Sequence, residues 1–242
     1  MRLKLISCEV LFREMCDASA HSPHQVDLEF LPKGLHDLGG KPMAAKIQEA
    51  VDRTPEGVYE AILLGYGLCG NGLDGLTARR TRLVLPRAHD CIALLMGSHE
   101  RYQAYFEGNP GTYYRSTGWL ERGKCLQQLT HNTMGFDESL EAMIRKYGED
   151  NGRYLYKEMT RYRAQYRKLT FIETGLEAGR KFIVEAAAEA KEKGWSFERL
   201  PGNLAWLRRM VAGEWAEAEF VVAGPGRRIA ASYDTRVVKV QA

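Results

Sequence analysis

Three cysteines and one histidine have the residue types of a metal site: Cys8, Cys69, His89 and Cys91. One residue separates His89 from Cys91, so a single loop can bring both side chains to one ion. Thiolate and imidazole are the ligands that zinc prefers, and catalytic zinc sites keep one position for water or substrate. Three thiolates can equally hold an iron–sulfur cluster with one iron left for substrate. The spacing does not decide between them, and because it contains no CxxC pair, inert buried cysteines remain an alternative.

A second group of polar and aromatic side chains lies in residues 109–122, NPGTYYRSTGWLER. Its hydroxyls, guanidinium group and aromatic rings suit an anionic or flat ligand. We predict a loop here that closes on the substrate, although a buried Tyr and Trp cluster would leave the same pattern. The catalytic candidates are His89, Tyr113 and Arg115, and the cofactor-binding candidates are Gly67, Gly70, Tyr114, Ser116, Thr117 and Trp119.

Short apolar segments precede the cysteines and predict the elements that position them. Residues 3–7, 61–65 and 82–85 are apolar and bounded by Gly, Arg or Pro, which is typical of strands buried on both faces. A glycine-rich turn and a short helix are predicted to join the last two. With strand 27–31 and helix 42–53 they form a β-α-β-α-β series, which indicates a parallel sheet. Ligands of such a sheet bind outside the carboxyl ends of its strands, so the cysteine-bearing loops are expected to share one rim.

The last third of the chain repeats this arrangement. Residues 196–207, SFERLPGNLAWL, match 27–38, DLEFLPKGLHDL, in having a strand, Leu-Pro, a glycine-bearing turn and a leucine. We therefore predict an α/β protein with an internal duplication, in which two similar Rossmann-like lobes with parallel sheets face each other across a cleft. The predicted domains are an N-terminal α/β lobe (1–98), a loop and helical insertion (99–168) and a C-terminal α/β lobe (169–242).

The composition is that of an ordinary globular protein, with 242 residues, 45% hydrophobic and 27% charged. A net charge of +3 does not by itself indicate nucleic acid. The Arg- and Tyr-rich segment 153–168 is predicted as a solvated helix face, with RNA binding as its alternative. No apolar run approaches the roughly 20 residues of a membrane span. An odd count of five cysteines and the lack of an export signal predict reduced thiols and a cytoplasmic location.

Four segments together resemble domain-of-unknown-function family 1638: CEVL from Cys8, LLGYGLCGNGLDGL at 63–76, LPRAHDCIALLMGS at 85–98 and NPGTYYRSTGWLE at 109–121. The resemblance spans nearly the whole chain but implies no activity, because the family name records none. It implies a link with corrinoid-dependent methyl transfer in microbes, and such a link would fit the His89-x-Cys91 pair, which is similar to the zinc-ligand pair of methyl-accepting thiol enzymes. Those enzymes are β/α barrels, which this sequence does not predict, so no residue role is carried over. The predicted lobed architecture with three scattered cysteines is also similar to quinolinate synthase, at the level of fold alone.

These patterns lead us to expect a metal-dependent transferase that acts on a small anionic or thiol substrate, with zinc or an iron–sulfur cluster as cofactor. Cys8, Cys69 and Cys91 are expected to hold the metal, with His89 as fourth ligand or as acid/base. Zinc would lower the pKa of a substrate thiol and present the thiolate for alkyl transfer. The alternatives are a non-catalytic metal- or corrinoid-binding accessory protein and an iron–sulfur enzyme of quinolinate-synthase-like architecture. The expected partners are a small-molecule substrate and a corrinoid protein, with neither membrane nor nucleic acid.

Overall fold

The computed structural model describes residues 1–123, 140–160 and 165–241, whose strands form three sheets. The strands are β1 (Arg2–Cys8), β2 (Gln25–Leu31), β3 (Ala61–Gly65), β4 (Leu83–Pro86), β5 (Thr112–Ser116), β6 (Lys168–Glu173), β7 (Ser196–Pro201), β8 (Phe220–Ala223), β9 (Arg228–Ala231) and β10 (Val238–Gln241). The helices are α1 (Phe12–Ala20), α2 (Gly40–Asp52), α3 (Cys91–Met96), α4 (His99–Gly108), α5 (Thr117–Gly123), α6 (Leu140–Tyr147), α7 (Glu149–Thr160), α8 (Lys181–Glu192) and α9 (Ala205–Val211).

The central sheet has the strand order β2-β1-β3-β4-β8. Its first four strands are parallel, and β8 runs antiparallel to β4. Every residue of β3 and β4 is buried, as expected of strands covered on both faces. Met43, Ile47, Ala50 and Val51 form the buried face of α2, with the spacing of an amphipathic helix.

The second sheet is parallel throughout and has the order β5-β6-β7. Alternate residues of its strands point to opposite faces. Leu169 and Phe171 of β6 pack with Ile183 and other buried residues of α8 in a small separate core. Ile172, which follows Phe171 and points to the opposite face, belongs to the main core around the central sheet. One face of the second sheet is therefore covered by α8, and the other faces the central sheet.

The prediction of a mixed α/β protein with parallel sheets is confirmed, but the internal duplication and the cleft between lobes are not. Strand β8, which was assigned to the C-terminal lobe, pairs with β4 of the central sheet. Strand β5, which was assigned to the insertion, pairs with β6. The domain boundaries after residues 98 and 168 remain predictions.

Two local predictions were wrong. Residues 109–122 do not form one loop, because most of them belong to β5 and α5. The short helix predicted between β3 and β4 is absent: residues 66–82, all described, form turns and a single bridge. The backbone at Cys69, Gly70 and Asn71 has positive φ angles, which are incompatible with a right-handed helix. The final segment forms the antiparallel pair β9-β10, a separate sheet, and does not extend the central one.

Candidate functional site

The three cysteines of the predicted metal site lie at the carboxyl ends of three neighbouring parallel strands. Cys8 is the last residue of β1, Cys69 lies in the turn after β3, and Cys91 is the first residue of α3, after β4. Because β1, β3 and β4 are adjacent and parallel, these positions meet at one edge of the sheet. The charges of neighbouring thiolates contribute to the pKa values of Cys69 and Cys91.

The loop after β3 lies directly against the loop after β4. Its backbone N–H groups at Leu68 and Cys69 donate to the carbonyls of Ala88 and His89, each over 2.8 Å. A Cβ atom at Gly67 would lie 2.5 Å from the Cα of Asp90, so only glycine permits this approach. The backbone of the two loops thus fixes Cys69 beside Cys91.

Each of the three sulfur atoms has an N–H donor or an imidazole beside it. The Trp119 Nε1 donates to Cys91 Sγ over 3.3 Å. At Cys69 the backbone N–H groups of Gly67 and Cys91 act to lower the pKa of the thiol, against the effect of burial. At Cys8 the backbone N–H of Val10 acts in the same direction, again against burial, and the Cys8 Sγ lies 3.4 Å from His36 Nε2. Such donors favour the thiolate form of cysteine.

Burial opposes these donors and dominates the acid–base behaviour of the thiols. It raises the pKa of Cys8 to about 12, and the charge of Glu9 adds to the shift. Burial also raises the pKa of Cys69 and of Cys91, with the charges of Asp90 and the neighbouring thiolates as further causes. At neutral pH the thiols are therefore protonated unless a cation joins them.

His36 is a neighbour of the thiols that sequence reasoning missed. It lies in the 3-10 turn Lys33–Leu38, directly after β2. Burial, followed by the charge of Lys33, lowers its pKa to about 4, so the imidazole is neutral at pH 7. Its ring centroid is 6.4 Å from those of Tyr66 and Trp119. The rule that identified the cysteine loops, carboxyl ends of parallel strands, also points to the residues after β2.

His89, predicted as fourth ligand or catalyst, is exposed and turns its ring toward α4. Its ring centroid lies 5.5 Å from that of His99 and 6.4 Å from that of Tyr102. Its backbone carbonyl, not its imidazole, binds the cysteine loop, at the N–H of Cys69.

Asp90 is a second residue that sequence reasoning missed. Its Oδ1 accepts from the backbone N–H groups of Ile92 and Ala93, which caps α3, and its Oδ2 accepts from the Tyr102 hydroxyl over 3.1 Å. An Asp just before the apolar run of α3 is the sequence signal of this cap. Asp90 therefore sets the orientation of the helix that begins with Cys91.

The second predicted group is divided by the alternation of β5. Tyr113 and Arg115 lie on the α8 side, where Arg115 forms a bidentate ion pair with Glu189 at 2.9 Å for both bonds. The Tyr113 ring packs 5.5 Å from that of Trp195. The structure thus places both catalytic candidates away from the thiols, and the Glu189 carboxylate already binds Arg115.

The remaining members of that group lie on the side of the thiols. The hydroxyls of Tyr114, Ser116 and Thr117 are buried, and within the described residues they have no hydrogen-bond partner. A Cβ atom at Gly118 would lie 1.7 Å from the carbonyl oxygen of Val10, so α5 starts in direct contact with the chain that follows Cys8. This contact brings Trp119 onto Cys91. Gly70, another predicted binding residue, supplies a left-handed turn beside Cys69.

The donor types fit a metal, but the side chains are not arranged around one. Within residues 1–123, 140–160 and 165–241, no three His, Cys, Asp or Glu side chains stand as a group that could hold an ion. Thiolates with an adjacent imidazole are nevertheless the donor set of zinc and of iron–sulfur clusters. Binding would require the cysteine side chains to rotate toward a common point.

Other features of the prediction lie elsewhere. Two open clefts, of about 480 and 630 Å³, are lined by no cysteine. The Arg- and Tyr-rich segment 153–168 includes residues 161–164, and these, like Cys125, lie outside the described part of the chain.

Every helix in the described part is too short or too polar to cross a bilayer.

Comparison with known proteins gives one match. The sequence model of a family described as "Protein of unknown function (DUF1638)" matches residues 30–211. The matched range includes Cys69, Cys91 and Trp119, whereas Cys8 precedes it. No curated protein and no solved structure matches this chain.

Proposed function

This chain belongs to the DUF1638 family of proteins of unknown function, and we propose that it is a metal-dependent enzyme whose cofactor is held by Cys8, Cys69 and Cys91. The proposal rests on one observation: three thiols at one sheet edge, of which Cys8 and Cys91 are buried and Cys69 is half-buried, each with a donor beside it that favours the thiolate. Burial disfavours an uncompensated negative charge at each of them. A thiophilic cation would supply the compensating charge.

Zinc and an iron–sulfur cluster are both compatible with this donor set. Three protein sulfurs would leave one coordination position for substrate or for a fourth protein ligand. The neutral imidazole of His36, 3.4 Å from Cys8 Sγ, is better placed for that role than His89, whose ring packs on His99. N–H donors to the sulfurs, such as Trp119 Nε1, would tune the metal centre.

The substrate in this proposal is a small thiol or anion that approaches beside Tyr114, Ser116 and Thr117. The hydroxyls of these side chains are buried and unpaired within the described residues, so a polar substrate would satisfy them. A zinc ion, when bound, would lower the pKa of a substrate thiol and favour alkyl transfer to its sulfur. A corrinoid protein as methyl donor and a cytoplasmic location belong to the same proposal.

A non-catalytic metal- or corrinoid-binding accessory protein is the second candidate, and the burial of the thiols favours it. Cys8 and Cys91 are 3% and 6% exposed, and neither of the two clefts reaches them. A cofactor held so deeply would be protected from solvent. The two candidates differ in turnover and not in the metal.

The first experiment is metal analysis of protein purified without oxygen, by elemental mass spectrometry and absorption spectroscopy. We expect about one zinc ion or one iron–sulfur cluster per chain, and loss of it in the Cys8→Ser, Cys69→Ser and Cys91→Ser variants. Cys16→Ser is the matched control, because Cys16 lies on α1 and is not one of the three clustered thiols. Absence of both metals in the wild-type protein would exclude the proposal.

A second experiment separates the enzyme from the carrier. The metal-loaded protein is incubated with a methylated corrinoid and a small thiol, and thioether formation is followed together with the corrinoid spectrum. An enzyme would transfer the methyl group from the cobalt(III) corrinoid to the thiol sulfur over many turnovers: the thiol proton is released, and the electron pair of the cobalt–carbon bond stays on cobalt, which becomes cobalt(I). A carrier changes the spectrum saturably and forms no thioether.

A further inference from the structure

Lys33 places a positive charge beside the candidate site. It is the first residue of the 3-10 turn Lys33–Leu38, which follows β2 and also carries His36. Its backbone N–H donates to Glu9 Oε1 over 2.8 Å, and Glu9 directly follows Cys8. The carboxyl end of β2 thus contributes a cation next to the strand ends that contribute the thiols.

The ammonium group of Lys33 lies against a residue that contacts the thiols. Its Nζ is 4.7 Å from the centroid of the Trp119 ring, and the Nε1 of the same ring donates to Cys91 Sγ over 3.3 Å. One indole ring therefore separates the ammonium group from that sulfur. The charge of Lys33 also acts to lower the pKa of Cys8 and of His36, which places it near both side chains.

Lys33 and Cys69 are both accessible from solvent. Each is half-buried, whereas the other two thiols of the cluster are buried. The start of α2, which follows the turn of Lys33, lies against the Cys69 loop, because a Cβ atom at Gly40 would be 2.8 Å from the carbonyl oxygen of Gly70. A small molecule that reaches Cys69 from solvent would therefore lie next to the segment that begins with Lys33.

Two acidic side chains near the thiols oppose an anionic substrate. Glu9 acts to raise the pKa of Cys8, and Asp90 acts to raise the pKa of the other two thiols. Three thiolates also outweigh the charge of a zinc ion, so the metal centre would itself carry a net negative charge. Such a site would repel an anion unless a cation stood beside it. Lys33 supplies that opposite charge.

We infer that Lys33 binds the anionic group of the substrate, and that the substrate is a small thiol that also carries a carboxylate. The ammonium group would bind the carboxylate while the metal binds the sulfur. This inference rests on the metal-dependent function proposed above, and it narrows the substrate from a thiol or an anion to a molecule that has both groups. Lys33 is a specificity-determining residue and not a metal ligand.

The test is calorimetric titration of the metal-loaded full chain with mercaptoacetate and with mercaptoethanol, which are similar in size and differ in charge. We expect mercaptoacetate to bind at least about tenfold more tightly, since it gains a charged interaction. Acetate, which lacks the sulfur, should bind at least about tenfold more weakly than mercaptoacetate. Elemental mass spectrometry measures the metal content of every sample.

Three variants assign the preference to one side chain. Lys33→Gln removes the charge and should abolish the preference for mercaptoacetate at unchanged metal content, whereas Lys33→Arg keeps the charge and should retain it. Lys193→Gln is the matched control, because the Lys193 ammonium also lies over an indole ring, 4.9 Å from the centroid of Trp195, but at the end of α8. This control should bind both thiols as the wild type does.

The inference is overturned when the metal-loaded wild type binds both thiols equally, or when Lys33→Gln keeps the wild-type preference. Loss of the metal from Lys33→Gln would also overturn it, because Lys33 would then act on the metal centre and not on the substrate. Absence of metal from the wild type would overturn the proposed function and this inference with it. The metal content therefore distinguishes the two failures.

Discussion

At the scale of single residues, the thiols are held between two opposed influences. N–H donors such as Trp119 Nε1 favour the thiolate, and burial favours the protonated thiol. Burial is the larger of the two, as the raised pKa of Cys8, about 12, indicates. The cluster is therefore expected to gain more from a bound cation than exposed cysteines would.

Replacing Trp119 with Phe should weaken metal binding without removing it. The variant keeps a ring beside His36 but loses the 3.3 Å hydrogen bond to Cys91 Sγ. Loss of such an outer partner costs about 10- to 100-fold in metal affinity. Competition with a chromophoric chelator measures this, with Trp215→Phe as control, because the Trp215 N–H also donates a hydrogen bond, but to the carbonyl of Met210 in α9 and not to a thiol. Equal affinity in the Trp119→Phe variant and the wild type would contradict the role of this donor.

Metal affinity should also depend steeply on pH. The pKa values of Cys8, Cys69 and Cys91 are raised, mainly by burial, so each thiol must lose a proton on binding near neutral pH. Release of three protons makes the apparent affinity rise about 1000-fold for each pH unit. Chelator competition between pH 6 and pH 8 measures the logarithm of the apparent metal affinity against pH. A slope that corresponds to release of one proton or fewer would show that the thiols do not act together.

At the scale of elements, the site depends on the close contact between α5 and the chain after β1. The contact is possible because residue 118 has no side chain: a Cβ there would lie 1.7 Å from the Val10 carbonyl oxygen. It brings Trp119 from the second sheet to the edge of the first. The helices α1 and α5 are further joined by the bidentate pair of Arg13 with Glu121, at 2.7 and 2.9 Å.

Gly118→Ala should therefore destabilise the protein by about 3 kcal/mol, because backbone must move to admit the methyl group. Gly108→Ala, at the end of α4, is the control: its added Cβ meets nothing within 4 Å, and the change should stay within about 0.5 kcal/mol. Urea unfolding measures both. A Gly118→Ala variant as stable as the control would show that the contact is not tight.

Sequence patterns predicted β1, β3 and β4 because their apolar runs are short and end at Gly, Pro or polar loops. They did not predict β5, whose sequence TYYRS carries an arginine as its fourth residue. That arginine is neutralised by Glu189, 74 residues away, and no local pattern reveals such a contact. Strand β8 lies in the predicted C-terminal lobe, but its pairing with β4 and its antiparallel direction were not predicted, because antiparallel and parallel strands buried in one core have similar compositions.

At the scale of the whole molecule, the candidate site combines two sheets. The thiols come from the central sheet, and the unpaired hydroxyls of Tyr114 and Ser116 come from β5 of the second. The convergence of the cysteine loops followed from the rule for carboxyl ends of parallel strands. The contribution of the second sheet could not be predicted from that rule, because its packing against the first sheet is set by long-range contacts such as that of Gly118 with Val10.

The metal-free protein should lose stability in alkaline solution. A thiol whose pKa is higher in the folded than in the unfolded chain stabilises the fold fully below the unfolded value, and this contribution falls as pH rises toward the folded value. With an unfolded pKa of about 8.5, each such thiol lowers the unfolding free energy by up to about 1.4 kcal/mol per pH unit. Urea unfolding between about pH 8.5 and 10 should show a shallower decline for Cys8→Ser than for the wild type. Identical slopes would contradict the raised thiol pKa.

The convergence of Cys8, Cys69 and Cys91 on one metal centre is tested most directly by X-ray absorption at the edge of the bound metal. We expect three protein sulfur ligands, at about 2.3 Å for zinc, in the wild type and in Cys16→Ser, and a reduced sulfur count in each of the three site variants. A metal surrounded only by oxygen and nitrogen, or a sulfur count unchanged by all three substitutions, would contradict it.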